Sequence, residues 1–207
     1  LAKAGPSALP QGDIRTCYPL MKIEIVTIGD ELLLGFTIDT NAAHFARALA
    51  AEGIEVVCRT TCGDSAESIA EAVGDALNRT GAVITTGGLG PTSDDLTKPS
   101  IAALFGREMV LDQEHLEWMR ERWRTRFQRE MPESNMQQAM LPRGATKLTN
   151  SHGSAPGIWL EDDKGRWVAM FPGVPREARG MLADTLLPLL RKRTAGGERS
   201  VVKSRTL

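Results

Sequence analysis

Three short apolar runs, each breaking at glycine and each parted from the next by a helical stretch, leave this chain few ways to fold. Lys22–Ile28 is β-branched and ends at Gly29-Asp30, Ile54–Thr60 ends before Gly63-Asp64, and Ala82–Thr85 ends before Gly87. Between them, residues 41–52 place Ala42, Phe45, Ala46 and Leu49 at helical spacing. Asp39-Thr40-Asn41 offers an N-cap and Gly53 a C′ position. Ser65 caps a second helix with Ala66, Ile69, Ala70, Val73 and Leu77 on its inner face, and 96–105 is a third, closed by Gly106. Strands alternating with helices specify βαβ units and right-handed crossovers, hence a parallel sheet covered on both faces. The expected fold is α/β with three αβα layers.

Past Gly106 the pattern changes. Asp112 caps a long helix to about Arg129, with Leu116, Met119, Trp123 and Phe127 on one stripe, and Pro132 ends it. The stripe reads as core or as an oligomer face. Residues 135–140 are a helical turn or two, and 146–148 is a short extended run. Ile158–Leu160 and Trp167–Phe171 flank Asp162-Asp163-Lys164-Gly165 as a β-hairpin, a small excursion from the parallel sheet. An amphipathic helix over 176–190 closes the fold. The organisation expected is one domain over 21–193, a disordered tail or tag over 1–20, and a flexible tail over 194–207.

A formal charge of −1 with no basic stripe argues against nucleic acid, and no apolar run is long enough to span a membrane. The arginines at 120, 122, 124, 126 and 129 alternate with glutamates and read as a solvated helix face. Three cysteines, Cys17, Cys58 and Cys62, are an odd number, so a disulfide framework is not expected and a cytoplasmic location is. No Gly-x-Ser-x-Gly elbow and no Walker A lysine pattern is present, which excludes the usual serine hydrolase and P-loop kinase.

The chemistry concentrates in Thr85-Thr86-Gly87-Gly88-Leu89-Gly90-Pro91-Thr92-Ser93-Asp94-Asp95-Leu96-Thr97. Glycines after a buried strand let backbone N–H groups close on an anion, and the following helix start adds partial positive charge. Asp94 and Asp95 on the same loop would repel a phosphate, which suggests a cation between them. In a parallel sheet ligands bind beyond the carboxyl ends of the strands. Those ends carry Gly29-Asp30-Glu31, Gly63-Asp64-Ser65, Gly87 to Asp95, and Pro172-Gly173, so one shared pocket is expected. Candidate catalytic residues are Asp30, Asp94 and Asp95. Candidate metal ligands are Asp30, Glu31 and Asp95, and candidate ligand contacts are Gly87, Gly88, Gly90, Thr97, Asn41, Gly157, Pro172 and Gly173. Thr97 is also expected to cap its helix, Asp64 with Ser65 to form an N-cap, and the loop around His152 to wall the pocket.

These residues resemble a known family. Ile28-Gly29-Asp30-Glu31-Leu32-Leu33-Leu34-Gly35 with Asp39-Thr40-Asn41 resembles the opening of the CinA (competence/damage-inducible) amino-terminal domain, and residues 86–97 resemble its central motif. Asn135 with Gln138-Ala139, then Pro142-x-Gly144-Ala145, Asn150-x-x-Gly153-x-Ala155-Pro156-Gly157 and Phe171-Pro172-Gly173-Val174-Pro175-x-Glu177 continue the match. That domain is similar to the molybdopterin-binding fold of MoaB and MogA. In molybdopterin adenylyltransferases the positions of Gly87, Gly88, Gly90, Asp95 and Thr97 serve the pterin phosphate and the nucleotide. The CinA resemblance implies instead hydrolysis of ADP-ribose and related nucleotide pyrophosphates, with a divalent metal (Mg²⁺, Mn²⁺ or Co²⁺) and K⁺. It also implies a small nucleotide or pterin phosphate as ligand, with molybdopterin in the second reading, and a homo-oligomer. A non-catalytic nucleotide-binding module is a third reading. Full-length CinA proteins usually carry a nicotinamide-mononucleotide deamidase domain, which is not expected in this chain. His152-Gly153-Ser154 departs from the usual motif and alters the pocket rim.

Overall fold

A computed structural model describes residues 21–92 and 94–194; what was expected of 1–20, of Cys17, of Ser93 and of the tail beyond Thr194 lies outside the described residues. The strands are β1 (Lys22–Ile28), β2 (Glu55–Cys62), β3 (Ala82–Thr86), β4 (Met109–Leu111), β5 (Met140–Pro142), β6 (Thr146–Leu148), β7 (Gly157–Glu161) and β8 (Trp167–Phe171). The helices are α1 (Asp30–Leu33), α2 (Thr40–Ala51), α3 (Ala66–Thr80), α4 (Thr97–Leu104), α5 (Gln113–Phe127), α6 (Pro175–Met181) and α7 (Leu187–Thr194). A 3₁₀ segment, Glu133–Ala139, follows α5, and a π turn, Leu182–Leu186, joins α6 to α7.

The main sheet runs β2-β1-β3-β8-β7-β6. β2, β1, β3 and β8 are parallel, and β7 runs against both β8 and β6. The hairpin is therefore built into the sheet, because its second strand pairs with β3 from Ala82↔Trp167 to Thr86↔Phe171. β3 is buried along its whole length, as expected for a central strand covered twice. Alternation sorts the side chains by face. Ile23, Ile25, Ile84 and Phe171 join Phe45 and Leu49 of α2 and Met181, Leu186 and Leu190 of the closing helix. Val26, Ile28, Val83, Val168 and Met170 meet Ile69, Val73 and Leu77 of α3 and Ile101 of α4. Glu24 also points to the α3 side. It is buried, and the Arg79 guanidinium grips it through two bonds of 2.9 and 2.7 Å.

Most boundaries follow local chemistry. The Asp39 side chain accepts from Ala42 N at 2.9 Å and starts α2, and Ser65 accepts from Ser68 N at 3.1 Å and starts α3. Gly53 (φ 77°) and Gly81 (φ 73°) end those helices in the left-handed region. Three features depart from expectation. The closing helix is interrupted by the π turn, two residues before Pro188, whose missing N–H cannot serve the regular ladder. β4 and β5 form a separate antiparallel pair that three-residue runs gave no periodicity to reveal. The α5 stripe divides: Leu116 and Met119 are buried against Ala139, while Phe127 is 47% exposed beneath arginines of the same segment. Arg124, Arg126 and Arg129 face solvent, as read, with Arg124 meeting Glu121 at 3.3 Å, whereas Arg120 and Arg122 are half-buried and Arg122 lies over Trp118.

Candidate functional site

Parallel register sets the ends of β1, β3 and β8 side by side, with Thr27 level with Thr86 and Thr86 level with Phe171. The chain goes from β1 outward to β2, then back across β1 to β3, so the reversal in strand order lies between β1 and β3. A cleft of about 570 Å³ opens there, lined by the loops after β1, β2, β3 and β8. It is of the size that small-molecule sites usually have.

Its floor is the glycine loop. Gly87 has φ 113° and Gly88 φ 63°, and a Cβ on either would stand 2.1 Å from Ile28 O or from Thr97 Oγ1 respectively. Only glycine fits both the dihedrals and the space. Gly87 N is used by Phe171 O at 3.0 Å, whereas the N–H groups of Gly88 and Leu89 carry no hydrogen bond to another described residue. They are the donors available to an anion.

The structure gathers Gly87, Gly88, Gly90, Asn41, Pro172, Gly173, Glu31, Asp94 and Asp95 around this cleft. Asp95 braces the loop: its carboxylate accepts from Gly90 N (2.7 Å), Thr92 N (2.9 Å) and the Thr92 hydroxyl (2.5 Å). Thr97 lies beneath the loop rather than beside a ligand. It is fully buried, and its hydroxyl donates to Gly87 O at 3.0 Å. It does not cap α4, since Leu96 holds that place without a side-chain bond. Gly157 opens β7 and packs under Met181. The Asp30 carboxylate turns toward Gly63 and accepts from Asp64 N at 3.3 Å, while Asp64 Oδ2 accepts from Asp30 N at 3.2 Å. Asp64 is thus a clamp between two strand ends and a wall of the cleft, and Ser65 alone is the helix cap. Burial, and the nearby charges of Asp30, Glu31 and Asp95, hold the Asp64 carboxyl above its ordinary range. His152 donates from Nε2 to the Asp184 carboxylate at 2.8 Å, pinning its loop to the closing helix. Ser154 and Ala155 of that loop reach the cleft.

The sequence reading left out Lys98 and named Gln138 and Glu177 only within motifs, with no role in the site. Lys98 is 4% exposed, donates to Gln137 O, and is pushed down to about 8 by burial, against the opposing pull of Asp95. A lysine in the first turn of a helix opposes the helix dipole, and that misfit was the legible signal. Gln138 and Glu177 line the cleft from the 3₁₀ segment and from α6, and Glu177 accepts from Asn150 Nδ2 at 2.6 Å.

Comparison with known proteins agrees with this geometry. Residues 24–192 match the family described as "Probable molybdopterin binding domain". The chain belongs to that family. Within it, the chain is 70% identical over 187 residues to a CinA-like protein of Gemmatimonas aurantiaca, covering 90% of this chain and 44% of that one. It is 42% identical over 172 residues to a CinA-like protein of Desulfovibrio desulfuricans, covering 83% and 40%. The chain thus spans less than half the length of these relatives. Among solved structures, the protein CinA of Thermoplasma acidophilum superposes with a TM-score of 0.74 at 28% identity, covering 81% of this chain and 97% of that one. The molybdopterin biosynthesis enzyme MoaB of Thermus thermophilus superposes at 0.56 and 21% identity, covering 87% and 99%, which shows a shared fold. The CinA resemblance read from the motifs and the expected three-layer fold both stand. No described helix is long and apolar enough to cross a membrane.

Proposed function

We propose that the cleft binds the diphosphate of a small nucleotide such as ADP-ribose and hydrolyses it with the help of a divalent cation. One observation carries the reading: a glycine loop with two open N–H donors, set among carboxylates that would repel a phosphate. A cation reconciles the two. No three His, Cys, Asp or Glu side chains among the described residues converge as a complete cage. Mg²⁺-like ions do not require one, since they are commonly held by one or two carboxylates, waters and substrate phosphate oxygens. Glu31 and Asp94, both on the cleft wall, fit an ion arriving with its substrate, and Asp95 reaches it only at the expense of its loop bonds.

Such an ion would neutralise charge on the phosphoryl oxygens and promote ionisation of water. The protein does the rest. Gly88 and Leu89 hold one phosphate through N–H groups that are already in place, with no loop rearrangement at the moment of reaction. Asp64, whose environment raises its affinity for a proton, takes the proton of the attacking water. The water oxygen bonds to phosphorus, the bond from phosphorus to the bridging oxygen breaks, and the products are AMP and ribose 5-phosphate. Incubating purified protein with ADP-ribose and Mg²⁺, Mn²⁺ or Co²⁺, with and without K⁺, and assaying both products tests the reading. Absence of turnover across the panel refutes it. A second reading rests on the family itself and its MoaB-like fold: binding or adenylylation of a pterin phosphate. ATP-dependent formation of an adenylylated pterin would establish that reading in place of the first.

A further inference from the structure

Asn41, the second residue of α2, is 7% exposed and stands on the cleft wall. Its side chain is fixed by groups whose hydrogen-bonding sense is not negotiable. Gly173 O is a carbonyl and only accepts, and Asn41 Nδ2 donates to it at 2.9 Å. The Thr86 hydroxyl commits its own proton to Pro172 O at 3.0 Å, so it can only accept from Asn41 Nδ2, at 3.1 Å. Both amide protons are spent, and turning the amide over would set oxygen against oxygen. The carboxamide oxygen is therefore the atom left over. Oδ1 is buried and has no partner among the described residues. A buried amide oxygen without a donor is costly and calls for a partner such as a water, an ion or a ligand group. Gln138 Oε1, on a second residue lining the same cleft, is also buried and unpartnered.

The position of this acceptor is set by the anion loop. Thr86 immediately precedes Gly87, and a Cβ on Gly173 would stand 3.5 Å from Gly87 Cα. A phosphate on Gly88 and Leu89 thus sits in the same cleft whose wall Asn41 forms. An ionised phosphate oxygen has no proton to give and would be repelled by Oδ1. Of the groups a nucleotide can present, the one that meets Asn41 Oδ1 carries O–H or N–H.

We propose that Asn41 Oδ1 is a fixed acceptor for a sugar hydroxyl on the ribose esterified to the bound phosphate. This rests on the nucleotide reading of the cleft and deepens it: the site selects for a phosphate bearing a hydroxylated sugar, which inorganic pyrophosphate lacks. The acceptor exists whether or not the site is hydrolytic.

Calorimetry with ADP-ribose, and with ADP-ribose analogues each lacking one ribose hydroxyl, tests it through binding rather than turnover. An analogue that fills the site without a donor leaves Oδ1 dry and unpaired. One analogue should therefore bind roughly 10- to 100-fold more weakly than the parent. In Asn41→Leu, checked for an intact fold by circular dichroism, that gap should shrink to within about threefold. If Asn41→Leu does not fold, Asn41→Ala withdraws the acceptor without added bulk and makes the same comparison. Equal binding of every analogue to the unmodified protein overturns the inference, and so does a gap that persists in a folded Asn41 variant. If ADP-ribose binds, is not hydrolysed with any metal, and still discriminates through Asn41, the hydrolytic reading fails and the inference holds. Failure of every nucleotide to bind defeats both.

Discussion

Replacing Asp95 by asparagine separates a structural carboxylate from a chemical one. Three donors converge on it, Gly90 N, Thr92 N and the Thr92 hydroxyl, and they divide between its two oxygens. Asparagine keeps one acceptor and turns an NH₂ toward the donors of the other. At least one hydrogen bond to an ionised group is lost, worth about 1.5–3 kcal/mol, and the solvent-exposed side at Thr92 favours the lower half of that range. A loss of about 2 kcal/mol in a domain of this size lowers Tm by about 4–8 °C. The loop should open before the core does, so the amides of Gly90 and Thr92 should lose exchange protection first. The assays are thermal unfolding, hydrogen exchange at those two amides, and ADP-ribose binding and turnover on the same Asp95→Asn sample. Unchanged Tm and protection, with turnover down about 100-fold or more, would refute the brace and make Asp95 a group that acts on the reaction itself.

Gly88→Ala should abolish anion binding. The left-handed φ costs about 1–2 kcal/mol, and the new methyl displaces the Thr97 hydroxyl from Gly87 O, which phosphate or nucleotide titration would reveal. Lys98 gives a pH prediction. Its folded pKa is depressed to about 8 against an ordinary 10.5, so from pH 8 upward the unfolded chain holds the proton that the folded protein releases. Stability should therefore rise by about 1 kcal/mol between pH 8 and 9, measured by denaturant unfolding, and the rise should vanish in Lys98→Met. The Cys62 thiol, raised to about 11 chiefly by burial, has the opposite sign and acts higher, between its ordinary 9.0 and 11. Phe171→Ala empties a fully buried site edge-on to Phe45 at 5.6 Å and should cost about 3–5 kcal/mol, visible as a Tm drop of roughly 6–20 °C.

Much of this molecule was written in local pattern. β-branched runs gave the parallel strands, Asp39 and Ser65 the starts of two helices, and Gly53 the end of the first, because each depends on chemistry within a few residues. The same holds for the anion loop, whose three glycines after a buried strand could be read without coordinates. The residues of the cleft that come from far apart were legible only as a list of strand ends.

Orientation is what tertiary structure decided. Asp30 and Glu31 are neighbours in sequence, yet Glu31 lines the cleft while Asp30 bonds the Asp64 backbone across 34 residues. Thr97 looked like a cap, but the approach of Gly88 claims its hydroxyl for Gly87. Asn41 looked like one residue of a helix start, and Gly173, 132 positions away, fixes which of its atoms is left without a donor among the described residues. Periodicity and capping are settled within a turn or two of chain, so one sequence states them. Which lone pair is left without a donor depends on every group that packs around it, and those groups meet only when the sheet brings the ends of β1, β3 and β8 together.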